Sequence, residues 1–116
     1  MGNHLRKRRL DLGLQQKDIA ARVGVSASTV WNWEKGGLEP EIRHIPAILG
    51  LLGYDPRPEA NTLGERLKRH REGLGWPRPR FAAVLKVDPT TLARWERGER
   101  APIADHARRV LQLLGG

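Results

Sequence analysis

Apolar residues recur along this chain at three- and four-residue intervals, and glycines or prolines interrupt each run before it grows long. Leu5 and Leu12 flank the basic run Arg6–Arg9 in an amphipathic segment that stops at Gly13. Gln15 to Val23 carries Ile19, Ala20 and Val23 on one side and ends at Gly24. Ser26 is placed to cap a third helix, with Val30 and Trp33 three apart on its inner side. Residues 42–52 then supply Ile42, Ile45, Ile48, Leu49 and Leu52 for a fourth helix, in which Pro46 is tolerated only in the first turn. The pattern predicts four short helices and no strand.

Shifted by 62 places, the sequence lies on itself without a gap from Leu5 against Leu67 to Gly53 against Gly115. Identical pairs include Arg9/Arg71, Ala20/Ala82, Val25/Val87, Thr29/Thr91, Trp33/Trp95, Glu34/Glu96, Gly36/Gly98 and Pro40/Pro102. The second copy predicts helices over 63–73, 78–85, 89–97 and 103–114. Asp88-Pro89 is a strong start signal, an N-cap carboxylate followed by proline at the first helical position, while Pro77 and Pro79 hold back the second helix of this copy. Two copies make two similar domains rather than a solenoid. Their expected bounds are 1–53 and 63–116, joined by residues 54–62, "YDPRPEANT", a connection able to reach roughly 30 Å when extended. The fold class expected is all-α.

Charge changes the picture. The chain of 116 residues has a net charge of +8 and no cysteine. A small, strongly basic protein is drawn to polyanions, nucleic acid first and acidic membrane surface second. Lack of cysteine removes disulfides, thiolate nucleophiles and Cys-based zinc sites. No segment is apolar enough to span a bilayer and no signal core follows the basic start, so the expected location is the cytoplasm, at the nucleoid when bound. His44 and His106 are equivalent but lack a second ligand at metal spacing, and no phosphate loop or catalytic constellation can be assembled. Neither an enzyme, a metal nor a cofactor is expected.

A short helix, a tight turn around Gly24-Val25-Ser26 and a capped helix with a polar outer face form the helix-turn-helix arrangement, whose second helix enters the major groove. "LRKRRLDLGLQQKDIAARVGVSASTVWNWEKG" and "LKRHREGLGWPRPRFAAVLKVDPTTLARWERG" both resemble the Xre/lambdoid-repressor family of transcriptional regulators. The resemblance covers nearly the whole chain, twice, and implies two tandem lambda-repressor-like domains that bind double-stranded DNA. It implies structural ion pairs joining Arg9 to Glu34 and Arg71 to Glu96, and an inward place for Trp33 and Trp95. It assigns base reading to Ala27, Ser28 and Asn32, with Pro89, Thr90 and Arg94 as counterparts. Asparagine suits adenine and arginine guanine, each pairing giving roughly 1–3 kcal/mol of discrimination. Backbone contacts fall to Gln16 and Lys35 in the first copy, and to Arg78, Arg97 and Arg100 in the second.

The copies differ in two further ways. Trp31, replaced by Ala93, reads as a residue one place off the inward face, with core edge, sugar or thymine methyl, and another protein all open as its contact. The loop "ERGERAP" is basic, whereas "EKGGLEP" turns acidic; residues 1–53 carry net +3 and residues 54–116 net +5. The second copy is expected to grip DNA more strongly. Little chain follows either fourth helix for dimerisation, so the expected state is a monomer acting as a covalent pseudo-dimer, or a weak homodimer. Two other readings stay open on sequence grounds: an antitoxin-like interaction module using Trp31, Leu38 and the acidic loop of the first domain to hold another protein, and a charge-driven architectural or RNA-binding protein.

Overall fold

The structure is a computed structural model that describes residues 1–115, and it contains helices and no strand among them. It divides into two compact units, one of Met1–Pro58 and one that begins at Glu59. The first holds α1 (Gly2–Asp11), α2 (Gln16–Val23), α3 (Ala27–Lys35), a 3₁₀ turn (Ile42–His44) and α4 (Ile45–Leu52). The second holds α5 (Leu63–Leu74), α6 (Arg78–Leu85), α7 (Pro89–Glu96) and α8 (Ala104–Leu113).

Local chemistry sets these limits. The Ser26 hydroxyl accepts the Thr29 N–H at 3.2 Å to start α3. Asp88 accepts the Thr91 N–H at 2.8 Å to start α7. The backbone N–H of Thr91, then its hydroxyl, holds the Asp88 carboxyl below its ordinary range. At the start of α5, Thr62 Oγ1 accepts from the Glu65 N–H, and the Glu65 carboxylate accepts from the Asn61 N–H at 2.8 Å, so the carboxylate also turns the chain into the helix. Between α2 and α3 the chain turns through the left-handed region at Gly24, φ 86°. The second unit makes the same turn at Lys86, φ 61°, where a side chain raises the energy by about 1 kcal/mol.

Residues 42–52 do not form one helix. Pro46 has no N–H to give to Ile42, so one turn of 3₁₀ geometry comes first and the α-helix starts with Pro46 as its second residue. Tyr54 stays with the first unit, its hydroxyl 3.0 Å from Nδ1 of His4, and Arg57 pairs with Asp55 at 2.8 Å.

Each unit has its own core. Leu5, Ile19, Ala20, Val30, Trp33, Ile48 and Leu52 fill the first. Leu67, Phe81, Ala82, Leu85, Leu92, Trp95 and Val110 fill the second at largely equivalent positions. The two tryptophans are 3% and 4% exposed, the largest apolar groups their helices turn inward.

Helix α1 starts at Gly2, upstream of the Leu5 where the repeat was aligned, and Gly2 and Gly64 are themselves 62 residues apart. A Cβ on Gly2 would overlap the carbonyl of Trp33, and a Cβ on Gly64 that of Trp95. The first helix of each unit therefore crosses the end of the third at backbone contact. Gly64→Ala is expected to destabilise the second unit by about 1–3 kcal/mol, since overpacking against a backbone atom outweighs the helix preference for alanine of at most ~1 kcal/mol. Gly2→Ala is expected to destabilise the first unit in the same way, since its Cβ would meet the Trp33 carbonyl. Urea unfolding of the two variants checks this, and a stabilised Gly64→Ala protein would contradict it.

Candidate functional site

The site begins with a buried charge pair. Arg9 gives Glu34 two parallel bonds, Nε to Oε2 at 2.8 Å and Nη2 to Oε1 at 2.9 Å, and gives the Leu14 carbonyl a third at 3.1 Å. Arg71 repeats all three, to Glu96 at 2.7 and 3.0 Å and to the Trp76 carbonyl at 3.0 Å. One guanidinium thus joins the first helix, the turn before the second and the end of the third. Its fork matches the carboxylate, which offsets part of the desolvation of both groups. The hydrogen bonds that Arg9 donates to Glu34 hold the Arg9 proton more firmly than usual, against the opposing effect of burial.

A third side chain reaches the same carboxylate. Nε2 of Gln16 lies 3.4 Å from Glu34 Oε1, and Nε of Arg78 lies 3.0 Å from Glu96 Oε1. Both stand at the start of their second helices. Arg78 remains 39% exposed while its carboxylate partner is 1% exposed. The first hub is a neutral Arg–Glu–Gln set. The second is Arg–Glu–Arg, with one net positive charge.

The third helices present the opposite face outward. Ala27 and Ser28 are exposed and Asn32 is half-buried; Pro89, Thr90 and Arg94 are all exposed. Trp31 is not at the core edge. It lies four residues from both Ala27 and Lys35, in the row beside Ser28 and Asn32, and is 49% exposed. The Lys35 ammonium sits 3.9 Å from its ring centroid, a cation–π contact.

After α7 the basic residues are less free than their number suggests. The Arg97 guanidinium bonds Glu99 at 2.9 and 3.2 Å. This pair lowers the Glu99 carboxyl below its ordinary value and raises Arg97 above its own. Both side chains are more than half exposed, so the pair is weak and open to competition. Arg100 is exposed and its backbone N–H bonds the Arg94 carbonyl. In the first unit the corresponding loop leaves Leu38 exposed and pairs Glu41 with Arg43 at 3.0 Å.

The histidines serve packing. His44 stacks at a tilt on buried Trp33, centroids 5.8 Å apart, and His106 does the same on Trp95 at 5.6 Å. Among the described residues no cluster of three or more His, Cys, Asp or Glu side chains is arranged to hold a metal, and no helix is long and apolar enough to cross a membrane.

Some features of the site are only weakly marked in the sequence. The equivalence of Gly2 and Gly64 was visible in the repeat but lay outside the aligned span. The outward position of Trp31 follows from its four-residue spacing to Lys35. The Arg97–Glu99 pair is local, and the spacing of opposite charges was the available signal.

Residues 5–58 match the family described as "Helix-turn-helix", and residues 62–116 match that described as "Helix-turn-helix domain". The two matches leave little of the chain outside them, and the tandem, all-helical, Xre-like reading stands. No curated protein and no solved structure matches the chain.

The shared carboxylate generates a stability prediction. Glu96→Ala leaves Arg71 buried without its partner and is expected to cost about 3–5 kcal/mol. Glu34→Ala should cost less, because Arg9 is more exposed and Gln16 carries no charge to strand. Urea unfolding of the two variants measures the difference, and equal small losses would refute the ranking.

Proposed function

This protein belongs to the helix-turn-helix family, carries its domain twice in tandem and binds DNA, and we propose that it is a sequence-specific regulator of transcription, acting as a repressor by occupying an operator. The observation that carries the reading is the contrast within each third helix. Trp33 and Glu34 recur as Trp95 and Glu96, whereas outward-facing Ser28 and Asn32 become Thr90 and Arg94. Residues that only hold a scaffold have no reason to change in this way, but residues that read different base pairs do.

In this reading Ala27, Ser28 and Asn32 meet base edges of one half-site, and Pro89, Thr90 and Arg94 those of another. Asn32 is suited to adenine, and the exposed Arg94 is suited to the O6 and N7 of guanine. Gln16, Lys35, Arg78, Arg97 and Arg100 face phosphates. Gln16 and Arg78 have a second task, since each also reaches the carboxylate of the buried pair. A phosphate contact at these positions is therefore coupled to the element that fixes the third helix. No side chain is assigned a catalytic role, and the place of action is the cytoplasm, at the nucleoid when bound.

Residues 54–62 tether the two heads as a covalent pseudo-dimer. The His4–Tyr54 contact keeps the start of that stretch with the first head, which shortens the tether and favours neighbouring half-sites. Once one head is bound, the other acts at an effective concentration that can reach about a millimolar.

The test is selection of bound duplexes from a random pool, followed by footprinting and stoichiometry. A consensus of two unlike half-sites per chain is expected; no enrichment, or a footprint over one half-site, would overturn it. Arg94→Ala should lose discrimination at one base position, by about 1–3 kcal/mol, whereas Arg97→Ala should weaken all sequences alike and reduce the salt slope by about one. Equal losses of both variants on selected and random DNA would contradict the division of roles.

Glu99 provides the converse case. Glu99→Gln removes the carboxylate that competes with phosphate for Arg97, so binding to selected and random duplexes should tighten alike, by about 0.2–1 kcal/mol, the worth of an exposed ion pair. Titrations of both duplexes at one low salt concentration measure it. Unchanged affinity for both would mean that Glu99 does not compete with the backbone for Arg97.

A further inference from the structure

Trp31 is the largest side chain on the outer face of α3, and half of its surface is open to solvent. Nothing in the core requires it there: the first unit closes around Trp33, and Ala93 takes the equivalent place in the second unit without loss of the core pattern. An aromatic ring on an otherwise polar helix face exposes apolar surface to water, and a ligand that covers that surface recovers the loss.

The surroundings narrow the ligand. Trp31 forms one wall of a depression of about 190 Å³ together with Arg6, Gln16, Glu34 and Lys35. Glu34 is its one carboxylate, and both oxygens are already taken by Arg9. What remains is an amide and two cations around an indole. That combination suits a polyanion with apolar points on its surface better than it suits an acid-binding or apolar protein face. The Lys35 ammonium over the ring limits the ways a flat group can stack on it, so contact by the ring edge or the uncovered face is favoured.

From this we infer that Trp31 is a specificity-determining residue of the first domain, reading the C5-methyl group of a thymine in the major groove by apolar contact. The inference rests on the proposed function, because it requires α3 to lie in that groove. It adds a different recognition chemistry: Asn32 reads through hydrogen bonds, and Trp31 through a methyl group that cytosine and uracil lack. Neither the family resemblance nor the second domain supplies a counterpart, since Ala93 is too short to reach in the same way.

The experiment uses the full chain and a duplex selected by it from a random pool, with deoxyuridine substituted for thymidine one position at a time. At one or two positions of the first domain's half-site, the wild-type protein is expected to lose roughly fourfold in affinity, the transfer free energy of one methyl-sized group. Trp31→Ala should abolish that loss, binding the thymidine and deoxyuridine duplexes equally, while thymidines in the other half-site behave as before. Trp31→Leu, which keeps an apolar side chain, should retain part of the sensitivity, and both variants should keep the wild-type unfolding midpoint.

A flat deoxyuridine scan across the first half-site with wild-type protein would overturn the inference while leaving the sequence-specific reading intact. So would a Trp31→Ala protein that still loses affinity at the same deoxyuridine positions, and by as much, as the wild type does. Loss of self-association by Trp31→Ala with an unchanged scan would assign the ring to a second copy of the chain instead. Failure to select any duplex would remove the proposed function and this inference together.

Discussion

A buried arginine–glutamate bridge fixes the geometry on which each unit depends. Removing two charges from water is costly, and the bridge is tolerated because its guanidinium makes three good hydrogen bonds and its carboxylate receives three. Among the described residues, no buried side-chain nitrogen or oxygen lacks a partner. The same bonds link the first helix, the following turn and the last turn of the third helix. Where glycine brings α1 and α5 onto the carbonyls of Trp33 and Trp95, the bridge adds direction to close packing. Apolar contact alone tolerates small slides and rotations; a bidentate pair plus a backbone clasp does not.

This arrangement separates two kinds of residue along one helix. Val30 and Trp33 in α3, and Leu92 and Trp95 in α7, face the core and change little between the copies. The next rows round the helix are anchored by them but do not touch the core, so their chemistry can change without altering the fold. Serine becomes threonine, asparagine becomes arginine and tryptophan becomes alanine there. The stability of the unit and the identity of its ligand are therefore encoded on different faces of the same nine- or eight-residue helix.

Much of this was legible in the sequence because its punctuation is strong. Ser26, Asp88-Pro89, Gly24 and the delaying pair Pro77 and Pro79 have local effects that hold in any tertiary setting, and the helices begin and end where they act. Recurrence of Arg9 and Glu34 as Arg71 and Glu96 drew attention to those side chains. Most of what the sequence leaves illegible depends on neighbours far along the chain. Gly2 gains its meaning from a carbonyl in α3, and Gln16 and Arg78 from a carboxylate 18 residues away. Pro46 falls in the first turn of α4, as its ring requires, but the proline alone does not tell a loop from the 3₁₀ turn that precedes it.

The hubs also explain why net charge alone is an incomplete guide to how the two domains differ. The second domain gains a cation beside the start of α6, where Arg78 replaces Gln16, but part of that charge is committed to Glu96. Arg97 is likewise shared with Glu99, in a pair exposed enough for phosphate to displace. The first domain has a neutral hub and places an indole, covered on one side by Lys35, where the second has only a methyl group. On the proposed function, the second domain would draw its affinity from charges released on contact with DNA, and would be the more sensitive to salt. The first would draw more from apolar contact, which salt screens little. Tethering unlike heads of this kind lets one supply attraction over distance and the other discrimination at contact, a division that two identical heads could not provide.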